Sequence, residues 1–189
     1  SHWGEIASKP FSTLGEVEAF LKVYHPVAVN KSCGFHVHIS VKKVINYTKL
    51  MSRNFFASFL SAATEWGKEV KLPESHPFWD RVKGGSRFAK KEFRPIAQLG
   101  ILEKDGGRSG WMGRDTRRTL LNYCWAMHGT LECRLFPGWA SADEAFGAAE
   151  FFTNFVDDYL KRKRRKMHLS TYYAKYTVKR LERLRVLKQ

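Results

Sequence analysis

Apolar residues recur at helical spacing in three segments of the chain. In the first segment, Thr13 and Glu16 match the capping box that begins many helices, and the helix is expected to end before Pro26. The second segment, residues 48–70, predicts a long helix with an apolar stripe of Leu50, Met51, Phe55, Phe59, Leu60, Ala63 and Trp66. The third segment begins at Ser141 with another capping box, formed by Ser141 and Glu144. The pattern therefore predicts three amphipathic helices.

Other segments alternate between apolar and polar residues, as strands do. Residues 35–41 alternate with a period of two, and residues 2–7 are expected to form a short strand. Residues 119–126 and 129–136 predict a hairpin, because a tight connection containing glycine separates them. Residues 71–118, rich in proline and glycine, predict long loops. The fold class expected from these elements is α+β.

Composition adds a strong positive charge at one end of the chain. The 189 residues are 43% hydrophobic, which suffices for one domain with a core, and the net charge is +15. Residues 161–189 contain 12 Lys and Arg and one acid, a net charge of +11, which leaves +4 for residues 1–160. The basic segment predicts a helical C-terminal extension. It either contacts nucleic acid, with Tyr172, Tyr173 and Tyr176 stacking on bases, or is a solvated helix end.

The cysteines and the apolar runs bear on the cellular setting. Cys33, Cys124 and Cys133 form no CxxC pair, so neither a disulfide scaffold nor a zinc knuckle is expected. No run of 18 apolar residues is present to span a bilayer, and the N-terminal residues given do not have the pattern of a signal peptide. A cytoplasmic protein without membrane contact is therefore expected. Because the chain begins without Met, a processed or incompletely represented product is also expected.

Two histidines on one predicted strand are the first candidate for chemistry. His36 and His38 are separated by one residue, so on a strand both imidazoles point to the same face, about 7 Å apart. Such a pair can bind one metal ion or one phosphate chain. The alternative is a pair of surface histidines without a shared ligand.

The second candidate lies in the last predicted strand. Glu132 and Arg134 share one face of that strand, while Leu131, Cys133 and Leu135 share the other. If the apolar face packs against helices, Glu132 and Arg134 face the surface that holds the histidines. The alternative is an exposed ion pair, which contributes little stability.

Taken in order, these segments resemble the amidoligase family, whose relatives include glutamine synthetase and glutamate–cysteine ligase. The matching motifs are Cys-Gly-Phe-His-Val-His at 33–38, Arg117 ahead of Leu-Asn at 121–122, and Gly-Thr-Leu-Glu-Cys-Arg-Leu-Phe-Pro-Gly at 129–138. Glu-Ile-Ala-Ser-Lys-Pro at 5–10 is similar to a further upstream element of the family. Order and spacing agree over residues 5–160.

The resemblance implies a fold and a reaction. The fold is glutamine-synthetase-like, a curved antiparallel sheet backed by helices, with residues 1–160 as the catalytic domain and 161–189 as the extension. The implied enzyme uses ATP and Mg²⁺ to phosphorylate a carboxylate, and an amine then displaces the acyl phosphate to form an amide. Its substrates are small-molecule or peptide carboxylates and amines, and an oligomer is compatible with the family.

The resemblance also implies roles for individual residues. Three would be metal ligands: Glu5, His36 and Glu132. Three would contact the nucleotide: His38, Arg117 and Arg118. Two would serve catalysis by holding a substrate carboxylate or the transferred phosphate: Arg134 and Arg117. Carboxylates suit Mg²⁺ and guanidinium groups suit phosphoryl oxygens, so these residue types agree with that chemistry.

One family element is missing from the sequence, and one basic segment has several interpretations. A strand with two glutamates normally precedes the element at 5–10 in the family. Either that strand is missing from the sequence shown, or the protein has lost part of its metal site and is expected to be a weak or inactive enzyme. The segment with Lys83, Arg87, Lys90, Lys91 and Arg94 is a loop over ATP phosphates, a nucleic-acid track or a solvated surface. No GxxxxGK[ST] motif occurs, which excludes a P-loop. The alternative function is a nucleic-acid-binding or assembly protein on a catalytically incomplete amidoligase fold.

Overall fold

The computed structural model describes residues 6–26, 28–87, 89–95, 98, 118–124 and 129–162. These residues form five helices: α1 Leu14–Val23, α2 Val44–Leu50, α3 Arg53–Glu69, α4 Pro77–Lys83 and α5 Ala142–Lys161. They also form three strands: β1 Val37–Ser40, β2 Leu121–Cys124 and β3 Thr130–Cys133. The predicted α+β class is confirmed at this level. Among the described helices, none combines the length and apolarity needed to cross a bilayer.

The strands form one antiparallel sheet with β3 in the centre. The order is β1–β3–β2, so the hairpin strands β2 and β3 pair directly and β1 adds to the other side of β3. Alternate residues give the sheet an apolar face, to which Val37, Ile39, Leu121, Tyr123, Leu131 and Cys133 contribute. The opposite face carries the polar residues of all three strands.

Helices α3 and α5 pack against each other through aromatic rings. The rings of Phe59 and Phe152 lie 5.3 Å apart, and those of Phe55 and Tyr159 lie 4.9 Å apart, both in edge-to-face geometry. Helix α2 is tied to the sheet by Tyr47, whose hydroxyl donates to the Thr130 carbonyl at 3.0 Å. Helix α1 packs along α5. One continuous core therefore supports the apolar side of the sheet.

The predicted helix 48–70 is wrong at its start, because the structure contains two helices there. Helix α2 ends at Leu50, and Ser52 begins α3 as an N-cap, its hydroxyl accepting the Phe55 amide at 3.1 Å. A local side-chain hydrogen bond thus favours a new helix start over a continuous helix. The predicted apolar stripe is largely confirmed, since Phe55, Phe59 and Ala63 are fully buried.

The prediction of loops throughout 71–118 is also wrong, because α4 lies within this segment. His76 caps its N-terminus, Pro77 occupies the first turn, and Gly84 ends it in the left-handed conformation at φ 92°. Proline at the start and glycine just past the end are ordinary helix boundaries. The density of proline and glycine in this segment obscured that pattern.

The remaining elements follow their predictions with shorter strands. Strands β1, β2 and β3 have four residues each, and β2 pairs with β3 as a hairpin. Helix α5 begins where predicted, with the Ser141 hydroxyl accepting the Glu144 amide at 3.4 Å. The strand predicted at 2–7 falls mostly on residues outside the described part, and Ile6 and Ala7 carry no strand. The extension predicted at 161–189 lies outside the described residues beyond Arg162.

The capping box of α1 is confirmed and allows a simple stability test. The Thr13 hydroxyl accepts the Glu16 amide at 3.2 Å, and the Glu16 carboxylate accepts the Thr13 amide at 3.1 Å. We expect Thr13→Ala to lower the free energy of unfolding by about 1 kcal/mol, measured by urea denaturation. The control is Ser61→Ala, which removes an exposed hydroxyl within α3 and is expected to leave stability unchanged or slightly raised. An equal loss in both variants would contradict the capping role.

Candidate functional site

The sheet register aligns three polar residues across its polar face. His38 on β1 lies opposite Glu132 on β3, and Glu132 lies opposite Asn122 on β2. Directly paired residues of antiparallel strands point to the same face, so these three side chains form one row. Arg134 and His36 lie two residues beyond Glu132 and His38 and extend the same face.

The Glu132 carboxylate is the centre of this row. Its Oε1 atom lies 3.0 Å from Arg134 Nη1, 3.4 Å from His36 Nδ1 and 3.7 Å from His38 Nε2. Its Oε2 atom accepts a hydrogen bond of 2.8 Å from the Asn122 amide nitrogen. We call His36, His38, Glu132 and Arg134 the Glu132 cluster. The structure thus brings together the four residues that the two strand motifs contributed.

Exposure differs across the Glu132 cluster. The side chains of Glu132 and Arg134 are 8% and 14% exposed, whereas those of His36 and His38 are 28% and 43% exposed. The carboxylate therefore lies at the bottom of the cluster and the histidines lie towards solvent. This burial argues against the alternative of an exposed ion pair, because a buried carboxylate needs the charge and hydrogen bonds that it has here.

Burial and neighbouring charges set the protonation of the cluster. Burial raises the pKa of Glu132, but Arg134, the Asn122 hydrogen bond and the histidines together hold that pKa below its usual value. Burial and the positive charge of Arg134 lower the pKa of His36 from 6.5 to about 4, against the opposing effect of Glu132. At neutral pH the cluster therefore contains a carboxylate, a guanidinium and a neutral His36.

Two glycines allow the strand ends to approach each other. A Cβ atom on Gly34 would lie 2.8 Å from Nε2 of His36, so the glycine leaves room for that ring. A Cβ on Gly138 would lie 2.7 Å from the Cβ of Cys33, and the Gly138 amide donates to the Cys33 carbonyl at 3.0 Å. The Cys-Gly and Pro-Gly pairs, distant in sequence, are therefore in contact.

A β-bulge follows the paired region of β1 and β3. Val37 pairs with Cys133 and Gly34 pairs with Pro137. Between these two pairs, the segment that enters β1 spans three residues while the segment that leaves β3 spans four. The guanidinium of Arg81, a residue of α4 that is 2% exposed, donates to three carbonyls at this point. The acceptors are Arg134 at 2.9 Å, Phe136 at 2.8 Å and Cys33 at 2.8 Å.

Arg81 is a buried cation whose three described side-chain hydrogen bonds go to backbone oxygens. Burial, and next the positive charge of Arg134, lower the pKa of Arg81 to about 10, so it remains charged at neutral pH. Arg81 was not among the predicted site residues, because it lies in the segment expected to be loops. Asn122, although part of the Leu-Asn motif, had no assigned role; its position opposite Glu132 follows only from the register of the hairpin.

Other residues implied by the resemblance lie elsewhere or outside the described part. Arg118 precedes β2, and its carbonyl accepts a hydrogen bond from the backbone amide of Lys90. Arg118 therefore lies beside the basic segment that contains Lys83, Lys90 and Arg94. Glu5 and Arg117 lie outside the described residues, as do residues 163–189. Their predicted roles in binding metal, nucleotide or nucleic acid remain predictions.

The Glu132 cluster does not by itself form a magnesium site. Within the described ranges, no group of three or more His, Cys, Asp or Glu side chains is arranged to hold a metal ion. Mg²⁺ prefers oxygen ligands in an octahedral arrangement. The cluster supplies one carboxylate, both of whose oxygens already face N–H donors. Its donor set therefore does not fit the ion without further ligands.

The lowered pKa of His36 predicts that acid destabilises the fold. Unfolded chains bind a proton to this histidine below pH 6.5, whereas the folded protein does so only near pH 4. The contribution of His36 to stability is therefore fully present above pH 6.5 and is expected to fall by up to about 1.4 kcal/mol per pH unit as the pH decreases towards 4. In His36→Gln this part of the pH dependence should disappear. Urea denaturation at several pH values measures it, and parallel curves for both proteins would contradict the prediction.

Comparison with known proteins adds no further assignment. No family model, no curated protein and no solved structure matches this chain. The amidoligase resemblance therefore depends on the ordered motifs of the sequence alone.

Proposed function

We propose that this protein is an ATP-dependent carboxylate–amine ligase with a glutamine-synthetase-like fold. The observation that carries the proposal is the convergence of His36, His38 and Arg134 on one oxygen of Glu132. Those residues come from two motifs that lie far apart in the chain, at 33–38 and 129–138, and both motifs belong to the same family pattern. Polar residues of two motifs, together with Asn122 of a third, meet on one sheet face, which supports a shared site better than any one motif does.

Arg134 is the residue of the cluster best suited to hold an anion. Its Nη1 atom binds Glu132, and its Nε atom is buried without a hydrogen-bond partner among the described residues. An unsatisfied buried donor is unfavourable in the free protein. A phosphoryl or carboxylate oxygen of a ligand would satisfy it, and guanidinium groups bind such oxygens strongly.

The other residues keep the site charged and accessible. Glu132 holds Arg134 in place and remains ionised, while the more exposed His36 and His38 lie where a ligand enters from solvent. ATP supplies the phosphoryl group that activates the substrate carboxylate, after which an amine forms the C–N bond and phosphate leaves. Any Mg²⁺ that accompanies the nucleotide would need ligands beyond Glu132 and His36, for which Glu5 is the proposed contributor.

The test is ADP release by the wild-type protein with pooled carboxylates and amines. We expect ADP to form only when both substrate classes are present, and we expect Arg134→Lys to reduce the rate, because a lysine lacks the guanidinium fork. Arg53→Lys, which changes an exposed arginine of α3, is the control and should match wild type. Absence of turnover in a chain extended to include an upstream acidic strand would refute the proposal.

The alternative function is nucleic-acid binding on a catalytically incomplete fold. It is favoured by the charge of residues 161–189, which is +11, since clustered Lys and Arg bind phosphate backbones. Deleting these residues should then abolish binding that weakens with salt, measured by fluorescence anisotropy with labelled DNA and RNA. Unchanged binding after the deletion would exclude the extension as the binding segment.

A further inference from the structure

A chain of buried side-chain amides lies behind the Glu132 cluster. Gln98 and Asn122 are both fully buried, and Thr119 beside them is 1% exposed. The Gln98 amide nitrogen donates to Asn122 Oδ1 and to the Thr119 hydroxyl, at 3.0 Å in each case. The Asn122 amide nitrogen in turn donates to Glu132 Oε2 at 2.8 Å. The proposed function uses none of these contacts except the last.

The direction of this chain is set at the backbone. The amide of Tyr123 on the edge strand β2 donates to Gln98 Oε1 at 3.0 Å. A backbone N–H is always a donor, so the oxygen of the Gln98 side chain must face it and the nitrogen must face the other way. That nitrogen then requires an acceptor, which orients the Asn122 oxygen towards Gln98 and its nitrogen towards Glu132.

Glu132 ends the chain as its final acceptor. With Oε2 occupied by Asn122, the carboxylate can rotate only if that buried hydrogen bond breaks, and Oε1 stays directed at Arg134 and the histidines. Leaving a buried donor unpaired is unfavourable, and this restrains the rotation.

We propose that Asn122 and Gln98 are positioning residues, which hold the Glu132 carboxylate so that its Oε1 faces the site. The relay is the ordered set of donors from the Tyr123 amide through Gln98 and Asn122 to Glu132. The relay deepens the proposed ligase function, and any effect of the relay on turnover rests on that function. The direction of its hydrogen bonds, however, is a property of the fold and can be tested without turnover.

Reversal of the relay provides that test. In Gln98→Glu, a carboxylate faces the Asn122 oxygen; in Glu132→Gln, an amide must satisfy donors from both Asn122 and Arg134. Each single variant therefore sets two groups of the same kind against each other: two acceptors in Gln98→Glu and two donors in Glu132→Gln. In the double variant the Asn122 amide turns over, so that it donates to the new carboxylate at position 98 and accepts from the new amide at position 132. The groups that conflict in the single variants are then paired again.

We expect the urea midpoint of the double variant to exceed the value predicted by adding the shifts of the two single variants. If Gln98→Glu alone does not fold, folding of the double variant is the same result in stronger form. The control pair combines Glu132→Gln with Asn154→Asp, a charge change at an exposed position of α5, and should be additive. Additive shifts for the Gln98 pair, or failure of the double variant to fold, would overturn the relay.

Turnover and NMR separate this proposal from the ligase proposal. Gln98→Met keeps the length of the side chain but removes its donor and acceptor, and we expect kcat to fall about 10- to 100-fold, with a smaller change in KM for ATP. In the same variant the Asn122 side-chain amide protons should exchange with solvent at least about tenfold faster, because the Asn122 side chain has lost the hydrogen bond that Gln98 donates to its oxygen. Unchanged exchange would overturn the relay. Absence of ATP turnover in the chain extended to include an upstream acidic strand would instead refute the ligase function, while the stability and exchange results still decide the relay.

Discussion

Replacing Glu132 with glutamine is expected to reduce ATP turnover by about 10²-fold or more. The substitution keeps the shape of the side chain and removes its negative charge. Arg134 then loses the charged partner that lies 3.0 Å away, and Asn122 and Arg134 compete for one oxygen. Loss of one preorganised electrostatic group from an active site commonly has an effect of this size. ADP release, with kcat and KM determined separately, measures it.

The control for this variant is Glu65→Gln on α3. Glu65 is 62% exposed and pairs only with the exposed Lys68 in the contacts described, so the same chemical change there should leave turnover and stability unchanged. Glu132→Gln must also remain folded for the result to count, which thermal unfolding establishes. Turnover within about threefold of wild type would remove Glu132 from the proposed chemistry.

Replacing Arg81 with methionine is expected to cause the largest loss of stability, about 3–5 kcal/mol for three hydrogen bonds of a buried charged group. The methionine fills much of the space but donates no hydrogen bond, so the carbonyls of Cys33, Arg134 and Phe136 lose a buried donor. The Cys33 and Phe136 carbonyls keep the backbone amides of Gly138 and Phe35 as donors, whereas the Arg134 carbonyl loses its described donor. The loss of three hydrogen bonds to a buried charged group is costly. Urea denaturation measures the loss.

Two further variants make the Arg81 result specific. Arg81→Lys retains a cation, but one ammonium cannot reach three carbonyls as a guanidinium does, so an intermediate loss is expected. Lys83→Met changes an exposed cation of the same helix and should alter stability by less than about 0.5 kcal/mol. If Arg81→Met unfolds at the same urea concentration as Lys83→Met, then Arg81 does not stabilise the bulge.

The Arg81 variant also connects stability to the candidate site. Its three acceptors lie on the two segments that enter and leave the paired region of β1 and β3, and one of them is the carbonyl of Arg134. Loss of these hydrogen bonds would loosen the strand ends that hold His36 and Arg134. Arg81→Lys is therefore expected to reduce turnover as well as stability, although Arg81 is a positioning residue and not a member of the Glu132 cluster.

Local interactions explain which parts of the fold were predictable. The capping box of Thr13 and Glu16 needs contacts only within one turn, and it forms as predicted. The alternation of β1 and β3 placed His36 with His38, and Glu132 with Arg134, on the correct strand faces. The break at Ser52 and helix α4 were mispredicted, because short helices depend on a cap and on tertiary packing more than on periodicity.

By itself, the sequence determined the starts of α1 and α5, the faces of the strands and the residue types capable of binding anions. Those properties depend on spacings of a few residues, which backbone geometry sets directly. Only the tertiary structure decided that β1 pairs with β3, that Asn122 lies opposite Glu132, and that Arg81 and Gln98 come from the intervening segment to satisfy buried groups. Register and burial arise from contacts between residues far apart in the chain. The sequence therefore identifies the candidate residues of the site, and only the fold shows how their charges are arranged.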